Sequence, residues 1–192
     1  DPPGSTRLTS TPLFRTGRAL VQKIAGYAAE RGKSLAEVTA VAQRAIEQTA
    51  SIGVAFSSCH IPGEARDDRV KPGTCEVGMG IHGEPGASTL KTQNSVEIVT
   101  RMVQRLAAHA GDGPLALLIN NLGGFSMLEM AVLTREVLRS AIGRQVRLLL
   151  GPATLVSALD MKGFSLSVLR LDDEFEKALL AKVEAAGWTA AV

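Results

Sequence analysis

The chain has 192 residues, of which 45% are hydrophobic and 21% are charged, proportions that exclude a disordered, a collagen-like or a coiled-coil protein. No stretch approaches the roughly 20 consecutive apolar residues of a membrane span. The formal net charge of +2 comes from mixed signs and aromatic residues make up only 4%, so neither a nucleic acid nor an anionic membrane is indicated as a partner.

The first 18 residues are rich in Pro, Gly, Ser and Thr, and they predict a linker or a severed junction over 1–18. The folded domain is therefore expected over 19–192. Two cysteines, Cys59 and Cys75, are too few for a disulfide framework, which favours reduced thiols and a cytoplasmic protein. No metal site is predicted, because these cysteines and the nearby histidines lack the short spacing of zinc ligands.

Predicted helices and strands alternate along the rest of the chain. Helical periodicity and capping pairs predict helices over 19–30, 35–49, 94–110 and 126–142, with a last helix beginning near 172–174. Short apolar or alternating runs predict strands over 52–57, 75–82, 115–120, 146–150 and 165–171. The second helix is expected to bury Leu35, Val38, Ala42, Ala45 and Ile46. This order predicts the α/β class, as a single domain with a mixed, mostly buried β-sheet flanked by helices.

The strand predicted over 75–82 leads into the most distinctive segment, GMGIHGEPG over 78–86. Its first six letters match the dinucleotide fingerprint G-x-G-x-x-G, but no helical period begins within them, so a nucleotide site of that kind is not predicted. Alternation instead places Gly78, Gly80 and His82 on one face, with Gly83 directly after, so that an imidazole lies beside backbone free of side chains. A neutral imidazole there can act as a general base, a metal ligand or a nucleophile towards a carbonyl. The alternative is close helix packing over the glycines and an ordinary surface histidine.

A second candidate is the segment NNLGG over 120–124, which follows a buried strand. The carboxyl ends of strands are where α/β sheets bind ligands. The alternative is a tight turn that uses Asn and Gly for left-handed backbone. His109 is interpreted as favourable charge at the end of a helix.

Several segments occur in the order seen in dihydroxyacetone (glycerone) kinases. They are 23–30, 51–63, 78–86, 120–124, 159–166 and 171–174. Over about 17–174 the chain resembles the C-terminal half of that family's substrate-binding K module. The resemblance implies that His82 is catalytic: a ring nitrogen adds to the carbonyl of dihydroxyacetone and gives a hemiaminal. It also implies that Gly78, Gly80 and Gly83 belong to the substrate site.

The resemblance implies further parts that have no counterpart in these 192 residues. These are the N-terminal half of the K module, with an aspartate base, and a helical nucleotide-binding module or subunit that carries ATP with Mg. No cofactor is therefore expected on this chain, and the isolated chain is expected to be inactive. The expected partners are dihydroxyacetone or another short-chain carbonyl sugar, the missing parts and a second copy in a homodimer. Whether the phosphate comes from a fused ATP module or from a separate subunit stays open. The alternative function is a non-catalytic homologue that senses trioses or binds a regulatory protein.

Overall fold

Eleven helices and strands are present in the computed structural model, which describes residues 16–64, 70–78, 88–91, 94–185, 187–188 and 191. In chain order they are α1 (Gly17–Glu30), α2 (Leu35–Gln48), β1 (Thr49–Ala55), β2 (Thr74–Val77), β3 (Ser88–Lys91), α3 (Ser95–Ala110), β4 (Leu115–Asn121), α4 (Met127–Leu138), β5 (Val146–Ala153), β6 (Gly163–Arg170) and α5 (Asp173–Leu180). A 3-10 turn over Ile142–Gln145 precedes β5. None of the described helices is both long and apolar enough to cross a bilayer.

The six strands form one sheet in the order β3-β2-β1-β6-β4-β5. β4 and β5 pair in parallel, and the other neighbouring strands are antiparallel. All seven residues of β4 are buried, as expected for an inner strand covered on both faces. The mixed, largely buried sheet with flanking helices confirms the α/β fold class predicted from the sequence.

Alternate side chains of β4 enter two separate cores. Leu117 and Ile119 pack on one face with α3 and α4, whereas Ala116 and Leu118 pack on the other with α1, α2 and α5. Fully burying a leucine or isoleucine side chain contributes roughly 1.5–3 kcal/mol. The two cores therefore fix the inner strands from both sides. The loops that follow β1 and β4 begin at strands held in this way.

The capped helices begin where the sequence predicts, because a helix cap is formed by residues that are close together in the chain. Ser34 and Ser126 each form a complete capping box, and the Asn94 side chain accepts from the Glu97 N–H at 3.0 Å. The buried stripe predicted for α2 is wrong at both ends. Leu35 is 83% exposed and Ile46 is 40% exposed.

The stripe of α2 is narrow because this helix packs mainly against α1 rather than directly on the sheet. Its buried residues are Val41 and Ala45. The helix predicted to reach 142 ends at Leu138 instead. A Cβ on Gly143 would lie 2.1 Å from the Leu138 carbonyl oxygen, so the chain turns back tightly onto the helix end at this glycine.

The observed strand bounds differ from the predicted ones by a few residues, and one strand was not predicted. β1 begins and ends earlier than the predicted range of 52–57, and β5 continues past 150 to Ala153. The unpredicted strand is β3, whose four residues STLK contain too little alternation to indicate a strand.

Candidate functional site

Three loops meet at one edge of the sheet. Because β1 and β4 are both antiparallel to β6, their carboxyl ends lie at the same edge, where β6 begins. Backbone bonds join the loops: the Phe56 N–H donates to the Lys162 carbonyl at 2.7 Å, and the Gly124 N–H donates to the Met161 carbonyl at 2.9 Å. This is the edge at which α/β sheets bind ligands.

Two buried carboxamides hold this loop cluster together. Oδ1 of Asn120 accepts from the N–H groups of Leu155 at 2.8 Å and Val156 at 3.0 Å, and its Nδ2 donates to the Val156 carbonyl at 2.8 Å. The Asn121 side chain accepts from the Gly123 N–H at 2.9 Å and donates to the Phe125 carbonyl at 2.7 Å. Both side chains are engaged with backbone, so the geometry favours the turn interpretation of segment 120–124 over a ligand site.

The glycines of the same segment allow a second loop to lie directly on the backbone. A Cβ on Gly123 would come within 2.0 Å of the Leu159 carbonyl oxygen, and one on Gly124 within 2.3 Å of the Asp160 carbonyl oxygen. Asp160 also accepts the His60 N–H through Oδ1 at 2.6 Å. The loops after β1 and β4 and the loop before β6 therefore form one structural unit.

The predicted substrate segment begins and ends on the β2–β3 pair. Val77 and Ser88 face each other in the register of these strands. The strand predicted over 75–82 ends at Val77, because Gly78 has a φ of +82° and leaves extended backbone, so the predicted alternation does not extend to Gly78. The Gly78 N–H donates to the Gly53 carbonyl of β1 at 2.8 Å. Both ends of segment 79–87 are thus fixed on the sheet.

Gly80, His82 and Gly83 lie outside the described residues, so their predicted roles stay predictions. The motif GMGIHG lies partly outside them too. The next described element after it is the strand β3, and the next described helix begins at Ser95.

A cationic groove lies next to these strand ends, and sequence reasoning did not identify it. A cavity of about 210 Å³ is lined by Val77, Leu90, Arg101, Gln104 and Arg105. The signal was present in the sequence as two arginines four residues apart on one helix. It could not be assigned a location, because neither β3 nor the side of α3 that faces it was known.

Neither thiol has the surroundings of a nucleophile. Burial raises the pKa of the Cys75 thiol, an effect that the nearby Arg101 charge opposes, so the thiol is neutral at pH 7. Cys59 is half-buried and packs against Ala55, Leu122 and Met161, as a small hydrophobic residue does. In the part of the chain that the structure describes, no three His, Cys, Asp or Glu side chains are grouped to hold a metal ion.

Comparisons with known proteins point to one family. The model of the Dak1 domain matches residues 15–187. A dihydroxyacetone kinase from Citrobacter freundii is 54% identical over 179 residues, which are 92% of this chain and 32% of that protein. The crystal structure of that kinase in complex with AMP-PNP and Mg²⁺ matches this chain with a TM-score of 0.88, over 92% of this chain and 33% of the other.

Two shorter relatives are also similar. The dihydroxyacetone-binding subunit DhaK of a PTS-dependent dihydroxyacetone kinase from Listeria innocua is 34% identical over 180 residues, 84% of this chain and 52% of that subunit. The structure of a dihydroxyacetone kinase operon co-activator, DhaQ, has a TM-score of 0.78 at 27% identity and covers 86% of this chain and 53% of the other. This chain therefore spans about a third to a half of the length of these relatives.

Proposed function

Because this chain belongs to the Dak1 domain family, we propose that it is the part of a dihydroxyacetone kinase that holds the ketone substrate through His82. The observation that carries the proposal is the 54% identity to the Citrobacter dihydroxyacetone kinase over 92% of the chain. The described ends of segment 79–87 support it, since both are fixed on the sheet. Gly78, Gly80 and Gly83 are proposed to keep the backbone around the imidazole open to a small ligand.

The chemistry proposed for His82 is an addition without loss of atoms. The lone pair of one ring nitrogen attacks the ketone carbon of dihydroxyacetone, and the carbonyl π electrons move to oxygen. That oxygen gains a proton, and the other ring nitrogen gives up its own. The product is a hemiaminal. Such a reaction selects a short ketose or aldose against glycerol, because glycerol has no carbonyl. A pocket that recognised hydroxyl groups alone would discriminate poorly against glycerol.

Holding the ketone in this way also orients the rest of the substrate. Phosphoryl transfer depends mainly on positioning and on electrostatic stabilisation. A substrate fixed at its central carbon can present a terminal hydroxyl to the phosphate. Close contacts also hold the loops at this edge of the sheet: Asn120 and Gly124 hold the loop after β4 against the loop before β6, and the Phe56 N–H bonds the loop after β1 to the same loop.

The other components of the reaction are proposed to lie outside this chain. We assign ATP with Mg to a nucleotide-binding module or subunit, and the base to an N-terminal half of the K module. The linker or junction over 1–18 and the domain over 19–192 stay proposals, and the last two residues of that linker, Gly17 and Arg18, already lie in α1. On this account the working protein is a cytoplasmic homodimer, and the chain alone transfers no phosphate.

The test uses the full-length protein that contains this chain, with its nucleotide-binding part, ATP and Mg. His82→Ala is expected to lower the phosphorylation of dihydroxyacetone by about 100-fold or more, because the substrate loses its fixed position. His109→Ala changes an exposed histidine at the end of α3 and serves as the matched control with unchanged turnover. Full activity in the His82→Ala protein would contradict the proposal.

A second function is favoured by one relative. The co-activator DhaQ has the same fold at 27% identity, which supports a non-catalytic homologue that senses trioses or binds a regulatory protein. That function predicts binding of dihydroxyacetone without phosphoryl transfer, even when the nucleotide-binding part and ATP are present. The higher identity to the Citrobacter kinase favours the catalytic function.

A further inference from the structure

Helix α4 has apolar side chains on its outer face as well as on its inner face. The inner face is buried in the core that α4 shares with α3, through Met130, Leu133 and Val137. On the outer face, between 37% and 76% of each of four large hydrophobic side chains is exposed, those of Met127, Leu128, Val132 and Leu138. The small residue Ala131 lies among them and is exposed too.

The outer face of α4 differs in this respect from the other described helices. Of these, α2 exposes two large hydrophobic side chains, and α3 and α5 expose one each. A helix that is apolar all round is normally buried on all sides. Contiguous apolar patches on soluble proteins mark surfaces that bind a partner. The outer face of α4 is therefore expected to be covered in the working protein.

The exposed side chains form one stripe along the helix. Successive residues of an α-helix are about 100° apart around its axis, so the five apolar residues fall within an arc of about 140°. Arg135 lies in the same arc, and it donates to Oε1 of Glu136 at 2.7 Å, so its charge is balanced within the helix. The aliphatic stem of an arginine can cover apolar surface. The stripe is thus compatible with an apolar contact along its whole length.

We propose that the outer face of α4 binds the same face of α4 in a second copy of this chain. In a two-fold symmetric dimer one patch meets itself, and two antiparallel α4 helices satisfy this when they cross between Ala131 and Val132. Leu128 of each copy then lies opposite Arg135 of the other copy. The small Ala131 side chains at the crossing point allow the helix axes to approach to about 8–10 Å.

The positions of the first and last described residues favour a second copy over another segment of this chain. The Thr16 hydroxyl bonds to the Ser165 hydroxyl at 2.9 Å, and Trp188 packs against the core formed with α1, α2 and α5. Both residues lie on that side of the sheet, whereas α4 covers the opposite side. The residues next to them therefore leave from the far side of the sheet, while a second copy reaches α4 directly.

This inference deepens the proposed function, because it rests on the homodimer proposed there and assigns a contact surface to it. It requires neither the imidazole of His82 nor phosphoryl transfer. A chain that fails to dimerise through α4 would leave the role of His82 intact, and an inactive role for His82 would leave the dimer intact.

Sedimentation equilibrium of the 192-residue chain measures the oligomeric state. One pair of 12-residue helices is expected to bury less than the roughly 1,200–2,000 Å² of a stable interface, so we expect a reversible dimer with a dissociation constant in the micromolar range. Leu128→Glu introduces two charges into the contact and is expected to raise the dissociation constant by about 100-fold or more.

Leu35→Glu is the matched control, because Leu35 is 83% exposed on α2, on the other side of the sheet. It should dimerise like the unmodified chain. Both variants change exposed side chains, so their melting temperatures by circular dichroism should equal that of the unmodified chain. A chain that is still monomeric well above micromolar concentration, or a Leu128→Glu variant that dimerises as tightly as the unmodified chain, would overturn the proposal. A cover supplied by another part of a longer protein would give the first of these results.

Disulfide trapping tests the antiparallel crossing in a Cys59→Ser background, in which the remaining Cys75 is buried. Ala131→Cys lies at the crossing point, so its two copies should form a disulfide under mild oxidation. Arg139→Cys lies eight residues further along, about 12 Å from the crossing, so its two copies would be about 20 Å apart or more and should stay reduced. Equal trapping of both variants would contradict the proposed contact.

Discussion

The loop cluster after β1 and β4 and the β2–β3 edge both contain glycines and polar residues, but they are built in different ways. In the loop cluster, the Asn120 and Asn121 carboxamides bond to backbone, and Gly123 and Gly124 lie under a second loop. At the β2–β3 edge, two four-residue strands hold a segment by its ends beside a cationic groove. The polar groups of the cluster bond to backbone within the protein, whereas the Arg101 side chain at the edge is 48% exposed to solvent.

The largest effect on stability is expected in the loop cluster, from Asn120→Ala. Asn120 is fully buried, and its loss leaves the N–H groups of Leu155 and Val156 and the Val156 carbonyl without their partner. At roughly 1–3 kcal/mol for each buried unsatisfied group, with partial relief by relaxation, the free energy of unfolding should fall by about 3–5 kcal/mol. Urea denaturation measures it.

The control for this variant is Asn94→Ala, which removes an exposed helix cap and should cost about 1 kcal/mol. If both variants lose the same stability, Asn120 does not hold the loops, and the contrast between the two regions fails.

A smaller loss is expected from Gly124→Ala. The new Cβ would lie 2.3 Å from the Asp160 carbonyl oxygen and 2.6 Å from the Lys162 nitrogen, so the backbone of the other loop must move. Overpacking of this kind costs about 1–3 kcal/mol. Gly26→Ala in α1 is the matched control, because its Cβ meets nothing within 4 Å, and it should stabilise the protein by about 0.5–1 kcal/mol. The melting temperature should therefore fall for Gly124→Ala and rise for Gly26→Ala. A Gly124→Ala substitution that stabilised the protein would show that the loops are not in close contact.

The smallest effect is expected from an ion pair outside both regions. Glu174 in the first turn of α5 bonds to Lys33 at 2.6 Å and to Arg44. The Lys33 bond and then the Arg44 bond lower the pKa of the Glu174 carboxyl. A folded-state pKa below the unfolded one stabilises the protein above the ordinary carboxyl pKa of about 4.3, and this contribution is lost as pH falls through the folded-state pKa.

Glu174→Gln should therefore lower stability by about 0.5 kcal/mol at pH 7, since roughly a third of the side chain is exposed and solvent screens the pair. The difference from the unmodified chain should shrink on acidification below the ordinary carboxyl pKa. Glu184→Gln changes a carboxylate that is 86% exposed and should have no effect. A difference for Glu174→Gln that grows towards low pH would contradict the assignment.

Local features of the fold could be predicted from the sequence, and features that depend on distant partners could not. Each cap at Ser34, Asn94 and Ser126 involves two residues three positions apart, so the sequence alone predicts where these helices begin. The exposure of Leu35 depends on which element α2 packs against.

The candidate site shows the same limit. The role of Asn120 depends on backbone groups 35 and 36 residues away, so its segment was as consistent with a ligand site as with a turn. The sequence did not indicate that Arg101 lines a groove, because β3 was not predicted. The only pattern available was its spacing of four residues from Arg105. The His82 segment was identified by its own residues and by resemblance, and its assignment stays a prediction.

The most direct test of the central claim is a carbon-13 NMR spectrum of the full-length protein with dihydroxyacetone labelled at the ketone carbon. The account predicts that the labelled carbon moves from the carbonyl region to the region of tetrahedral carbon. Native mass spectrometry should show the mass of one substrate added without loss of water, because a hemiaminal retains every atom. His82→Ala should abolish both signals, while His109→Ala should leave them unchanged. An unchanged ketone resonance with the unmodified protein, or an adduct that persists in His82→Ala, would contradict the account.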